Sequence, residues 1–161
     1  MKQNTKEKMI FKAFSHKKVV VDFNGGETSS DAGLLFLREM EKKTGVIDRI
    51  AGVLDDGRHP GYIKHDIKQL LRQRVYQVAG GYEDANDSDH LRNDPILQVA
   101  CDKQDAPLAS QPTISRFENS VSRTELYNIA EAFVDAFLGS YKKPPEGIIL
   151  DIDDTPDQTH G

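Results

Sequence analysis

The densest chemistry in this sequence lies near its end. Gly147-Ile148-Ile149-Leu150-Asp151-Ile152-Asp153-Asp154-Thr155 reads as an apolar strand running into acid. Side chains alternate across a strand, so Asp151 and Asp153 share one face while Leu150 and Ile152 take the other. Two carboxylates held side by side on a buried strand repel each other and lose hydration. A divalent cation relieves both costs, and hard oxygen ligands suit Mg2+ or Mn2+. The alternative is a strand end open to water, where the same acids cost little.

A second group of side chains suits a different partner. In residues 108–120, Ser110 is placed as an N-cap and Pro112 in the first turn, while Ile114 and Phe117 face inward at i, i+3. Gln111, Thr113, Ser115, Arg116 and Asn119 are left for the outer surface. Those groups suit base edges and phosphates, as on the recognition helix of a helix-turn-helix protein. The wording Ser-Gln-Pro-Thr-Ile-Ser-Arg-Phe-Glu resembles the recognition helices of phage-repressor-like proteins. Further back, Lys64, Lys68 and Arg72 recur every four residues on a helical pattern expected over residues 63–78. Such a basic stripe could track a phosphate backbone; the solvated face of an ordinary helix would look the same.

The elements that must position these groups are mainly helical. A strand is expected at residues 18–23, then a Gly25-Gly26 turn. A helix follows from Leu34 towards Gly45, then a shorter amphipathic piece at residues 46–54. Ile67, Leu70, Leu71, Val75 and Val78 fall at core spacing on the helix that carries the basic stripe. The acidic stretch Tyr82 to His90 lacks the glycine and closing glutamate of an EF-hand loop and reads as helix caps. A short helix is expected over residues 91–101. From Thr124 to Leu138, Leu126, Ile129, Ala130, Phe133, Val134 and Phe137 form a full apolar stripe whose expected job is core packing.

Composition narrows the class. The 161 residues suit one domain, or one domain plus a piece of another. A single cysteine, Cys101, excludes a disulfide framework and a cysteine-based zinc site. No apolar run reaches the roughly 18 residues of a membrane span, and the basic start has no signal-peptide core. The expected location is therefore the cytoplasm. Residues 1–80 hold fifteen Lys/Arg and ten Asp/Glu, a net +5; residues 81–161 hold six and sixteen, a net −10. An acidic whole argues weakly against a free-standing nucleic-acid binder, yet a basic half still permits one.

Blocks along nearly the whole chain resemble a known family. They are Gly25-Gly26 with Ser29 to Leu35, Leu70 to Tyr76, Gly81 to Asp87, Leu91 to Pro95, Leu108 to Asn119, and Leu150 to Thr155 with His160-Gly161. In this order they resemble bacterial insertion-sequence transposases of the family numbered thirteen-eighty. The resemblance implies a DDE transposase with a ribonuclease-H-like α/β core, in which three carboxylates hold two metal ions for DNA strand transfer. The implied fold class is mainly α with a few β strands. Residues 1–145 would be a mostly helical, DNA-binding region, and residues 146–161 the start of a truncated catalytic domain. The Asp-x-Thr ending points to Asp153 as metal ligand and catalytic carboxylate, with Asp151 as the other candidate. The implied cofactor is Mg2+ or Mn2+, and the implied DNA is the element's terminal inverted repeats.

The same resemblance implies that carboxylates beyond the first strand are required. The expectation is an amino-terminal fragment that is inactive alone. An alternative is a DNA-binding regulator or inhibitor that occupies the ends or joins a full-length transposase, or a homo-oligomer. Asp-x-Asp-x-Thr after an apolar strand also resembles the haloacid dehalogenase-like phosphatases, but only six residues follow Thr155 and the later motifs of that family are missing.

Overall fold

Two hydrophobic clusters share one helix. In the computed structural model, residues 9–14, 17–21, 29–103, 106–143 and 145–152 are described. The shared helix is α3 (Ile67–Ala79). Its Tyr76 packs with Leu34, Leu97, Ala100, Cys101 and Leu108. One and a half turns earlier, its Leu70 packs with Ala109, Ile114 and Phe117. Around α3 stand α1 (Leu34–Thr44), α2 (Val46–Ala51), α4 (Ser88–Leu91), α5 (Pro95–Ala100), α6 (Gln111–Ser120) and α7 (Arg123–Gly139). Strand β1 (Met9–Phe14) pairs antiparallel with β2 (Lys17–Val21), with Ile10 opposite Val20 and Phe11 opposite Val19. The described residues are thus mainly helical.

Local chemistry sets most boundaries. Gly45 ends α1 in the left-handed region at φ 64°, a backbone state that costs a side-chain-bearing residue energy. The Asp66 carboxylate accepts from Gln69 N–H at 2.7 Å and so starts α3 there rather than at residue 63. Asp94 caps α5 in the same way, with Pro95 in its first turn. Ser122 and Glu125 form a reciprocal capping box on α7.

Three expectations are corrected. Residues 147–152 form no strand: Ile148, Ile149, Leu150 and Ile152 are exposed. Alternation alone cannot hold a strand whose backbone has no ladder partner. The expected early strand runs over Lys17–Val21, and Asp22 and Phe23 lie outside the described residues. On α3, Val75 and Val78 are exposed, and the buried positions are Leu70, Arg72, Gln73, Tyr76 and Gln77. On α7, Leu126, Phe133, Val134 and Phe137 are exposed, and Ala132 is the buried residue, on the side that packs on α2. Its apolar stripe therefore does not fill the core.

Candidate nucleic-acid interface

Helix α6 is seated by its apolar side and by the residue pair in front of it. Ile114 and Phe117 are buried against Leu70. Ala109, wholly buried, meets the Gln73 side chain at both ends of its peptide group. Gln73 Nε2 donates to Ala109 O at 2.9 Å, and Ala109 N donates to Gln73 Oε1 at 2.8 Å. A buried glutamine thus satisfies a backbone that has no sheet to join. Ser110 takes the N-cap position but makes no capping bond; its hydroxyl pairs with Thr113 Oγ1 at 3.2 Å. The first N–H of the helix, on Gln111, donates instead to Asp89 at 3.0 Å.

The outer side of α6 carries the expected polar groups in a graded way. Arg116 and Asn119 are exposed; Gln111, Thr113 and Ser115 are half-buried. Two of these side chains lie back along the helix. Arg116 Nε donates to Pro112 O at 2.8 Å, and Asn119 Nδ2 donates to Ser115 O at 2.8 Å. Arg116 also borders a cleft of about 790 Å3, together with Thr113, Phe117, Asp55, Arg58 and Tyr62. Tyr62 stands in solvent at 85 % exposure, its ring 5.3 Å from that of His59.

Most acids at this cleft are already engaged. Arg58 Nη2 meets Asp56 Oδ2 at 2.6 Å and also donates to His65 O at 3.0 Å. That guanidinium holds the Asp56 carboxyl below its usual range. Glu125 accepts from Ser122 N at 2.7 Å, from Ser122 Oγ at 2.6 Å, and across the cleft from Asp55 N at 2.8 Å. The Ser122 hydroxyl bond is the chief reason its carboxyl falls from 4.5 to about 2. A carboxyl lowered in the folded state contributes stability above its unfolded value and loses it as pH falls through the folded one. Thermal melts of the native chain and Glu125→Gln should therefore differ at neutral pH and converge as pH drops from 4.5 towards 2. A difference that persists unchanged to pH 2 would mean the capping box does not depend on charge.

The basic stripe does not assemble. Lys64 lies before the N-cap of α3 and is exposed. Lys68 pairs with Asp48 of α2. Arg72 is buried, with Nη2 on Glu41 at 3.0 Å and Nη1 on Asp102 at 3.2 Å. The four-residue spacing is real, but α3 is covered by α1 on the Arg72 side, so the arginine is turned inward as an ion-pair partner. Arg74 is likewise taken up, by Glu118 and by the carbonyls of Tyr82 and Glu83. Sequence reasoning missed Arg58 and Tyr62. The signal available was a charged loop holding an aromatic residue, which composition alone marks only as a loop.

At the acidic end, Asp151 is exposed on irregular backbone and Asp153 lies outside the described residues. Among the described residues no three His, Cys, Asp or Glu side chains come close enough to hold a metal ion. No helix among them is long and apolar enough to cross a membrane.

A family model described as Transposase DDE domain group 1 matches residues 11–161. The chain belongs to that family of DDE transposase domains. Neither a curated protein nor a solved structure matches it. Transposases of this kind bind DNA and use divalent metal ions in general.

Proposed function

We propose that this chain engages the ends of an insertion sequence of the family numbered thirteen-eighty, with α6 as the element that meets the DNA. The observation that carries this reading is the build of α6. It is anchored below by Ile114, Phe117 and the Gln73–Ala109 pair, and it presents Arg116 and Asn119 to solvent. Gln111, Thr113 and Ser115 flank that surface, and Lys64 and Lys68 are the basic side chains within reach of a phosphate backbone on α3 and the loop before it. Arg72 has no part in this surface because it is buried. Residues 1–145 act as the DNA-binding region. Asp151 and Asp153, in residues 146–161, are the carboxylates this chain offers to a metal ion, with Asp153 first. DDE chemistry draws on a third carboxylate and two metal ions, and in this reading these 161 residues bind DNA without cutting it.

Fluorescence anisotropy with a duplex of the element's terminal inverted repeat, against a scrambled duplex and over a range of salt, tests this. End-specific binding that weakens with salt is expected, with no nicking when Mg2+ or Mn2+ is added. Arg116→Ala should weaken end binding by about 1–3 kcal/mol if the guanidinium makes a bidentate base contact. Equal affinity of this variant and the native chain would remove α6 from the interface. Cleavage by the 161 residues alone would overturn the second half of the proposal.

A further inference from the structure

Helix α7 is amphipathic in the wrong direction for a core helix. Leu126, Tyr127, Phe133, Val134, Phe137 and Leu138 are all 41–66 % exposed. At 3.6 residues per turn they fall within an arc of about 140°. Ala132, the buried residue of the helix, lies on the opposite side and packs towards α2. Tyr141 extends the stripe by stacking edge-on against Phe137, ring centres 5.1 Å apart at 68°. Taking roughly 200 Å2 for a fully exposed large side chain, the six leave on the order of 640 Å2 of largely apolar surface in one strip. Monomers rarely present a contiguous patch of that size without a partner for it.

We infer that this face is where two copies of the chain pair, α7 against α7 across a two-fold axis. Three physical arguments select a second copy. The area falls within the roughly 600–1,000 Å2 per partner of a stable interface. A straight apolar stripe on one helix is also its own complement under two-fold symmetry, so one patch serves both chains. From Leu126 to Tyr141 it runs about 22 Å, enough for two helices to stay in contact at a shallow crossing angle. DNA is the poorer occupant, because such a face offers phosphates no positive charge and, as donors, only the hydroxyls of Tyr127 and Tyr141.

Sedimentation analysis of the native chain, with the Phe133→Glu/Phe137→Glu double variant beside it, tests the inference. The native chain should run at twice its 18.0 kDa mass in the micromolar range. The double variant should dissociate at least about 100-fold more readily, since two buried aromatic contacts are lost. Both phenylalanines lie outside the core clusters, so the circular dichroism spectrum should not change. A second variant, Val134→Cys, should form a disulfide-linked dimer on mild oxidation. The native Cys101 does not interfere, being buried with its thiol pushed up to about 12 by that burial. A native monomer at about 100 µM overturns the inference, and protection of residues 126–141 from hydrogen exchange in that monomer assigns the face to another part of the chain. A dimer that survives the double variant, or aggregates without a discrete dimer, overturns it as well.

Discussion

Arg72→Met should lower the free energy of unfolding by about 3–5 kcal/mol, the loss that follows when one member of a buried ion pair is removed. The Arg72 and Glu41 side chains keep only 9 % and 5 % of their exposure, and Arg72 Nη2 lies 3.0 Å from Glu41 Oε1. Without the guanidinium, Glu41 stays in the same low-dielectric place. Its closest remaining partner is the Tyr76 hydroxyl, which donates to Oε2 at 3.4 Å. Burial first, and then that carboxylate, already hold the Tyr76 phenol far above its ordinary value. Asp102 would also lose a partner. Its backbone sits in the left-handed region at φ 56°, and its carboxylate lies between Arg38 and Arg72. For a domain with about 5–15 kcal/mol of stability, a loss of this size is roughly a fifth of the total or more. Urea unfolding should show a lower midpoint at unchanged slope. The double change Glu41→Leu/Arg72→Met should recover most of the loss, because an apolar pair has no charge to strand. An unfolding free energy for Arg72→Met within about 0.5 kcal/mol of the native chain, the limit for surface substitutions, would show that the pair is not buried in solution.

The same arginine shows where sequence reading stops. Lys64, Lys68 and Arg72 have the spacing of a stripe, and spacing says only which residues share a face of a helix. Which face is covered depends on α1, whose Glu41 is thirty-one positions away from Arg72. Two neighbours on α3 repeat the lesson. Gln73 and Gln77 are polar and yet buried, because each finds a partner contributed by a distant segment, Ala109 and Ser88. Helix α7 fails in the opposite sense: its stripe is plain in the sequence, but an apolar stripe does not name what it packs on. Segments governed by neighbours a few residues away were far easier to read. Pro95 and Pro112 sit in first turns, Gly45 ends α1, and Ile114 and Phe117 point inward from α6. The acidic end belongs to the harder class, since a strand over residues 147–152 needs a ladder partner that the described residues do not place beside it. Six ordered blocks still pointed to a DDE transposase, and the match over residues 11–161 shows that coarser family.

Gln73→Ala should destabilise the fold by about 2–5 kcal/mol and weaken DNA binding beyond that loss. The energetic part has two sources. Ala109 is wholly buried, so its N–H and C=O lose their only partners among the described residues; each costs about 1–3 kcal/mol when left unmet. The vacated side chain also leaves a cavity in a well-packed cluster beside Leu70. The functional part follows from position. Ala109 is two residues before Gln111, the first residue of α6, so freeing its peptide releases the entry to the helix that carries Arg116. Gln73→Met separates the two parts. Methionine fills most of the glutamine's volume without a charge but offers Ala109 neither bond, so it should fall between the native chain and the alanine variant in stability. Anisotropy on chemically verified folded protein then decides the role. If both variants bind the terminal repeat as tightly as the native chain once unfolded material is discounted, Gln73 is only a core residue. Weakened binding by both variants, beyond their loss of folded protein, would make it the residue that positions α6 for DNA.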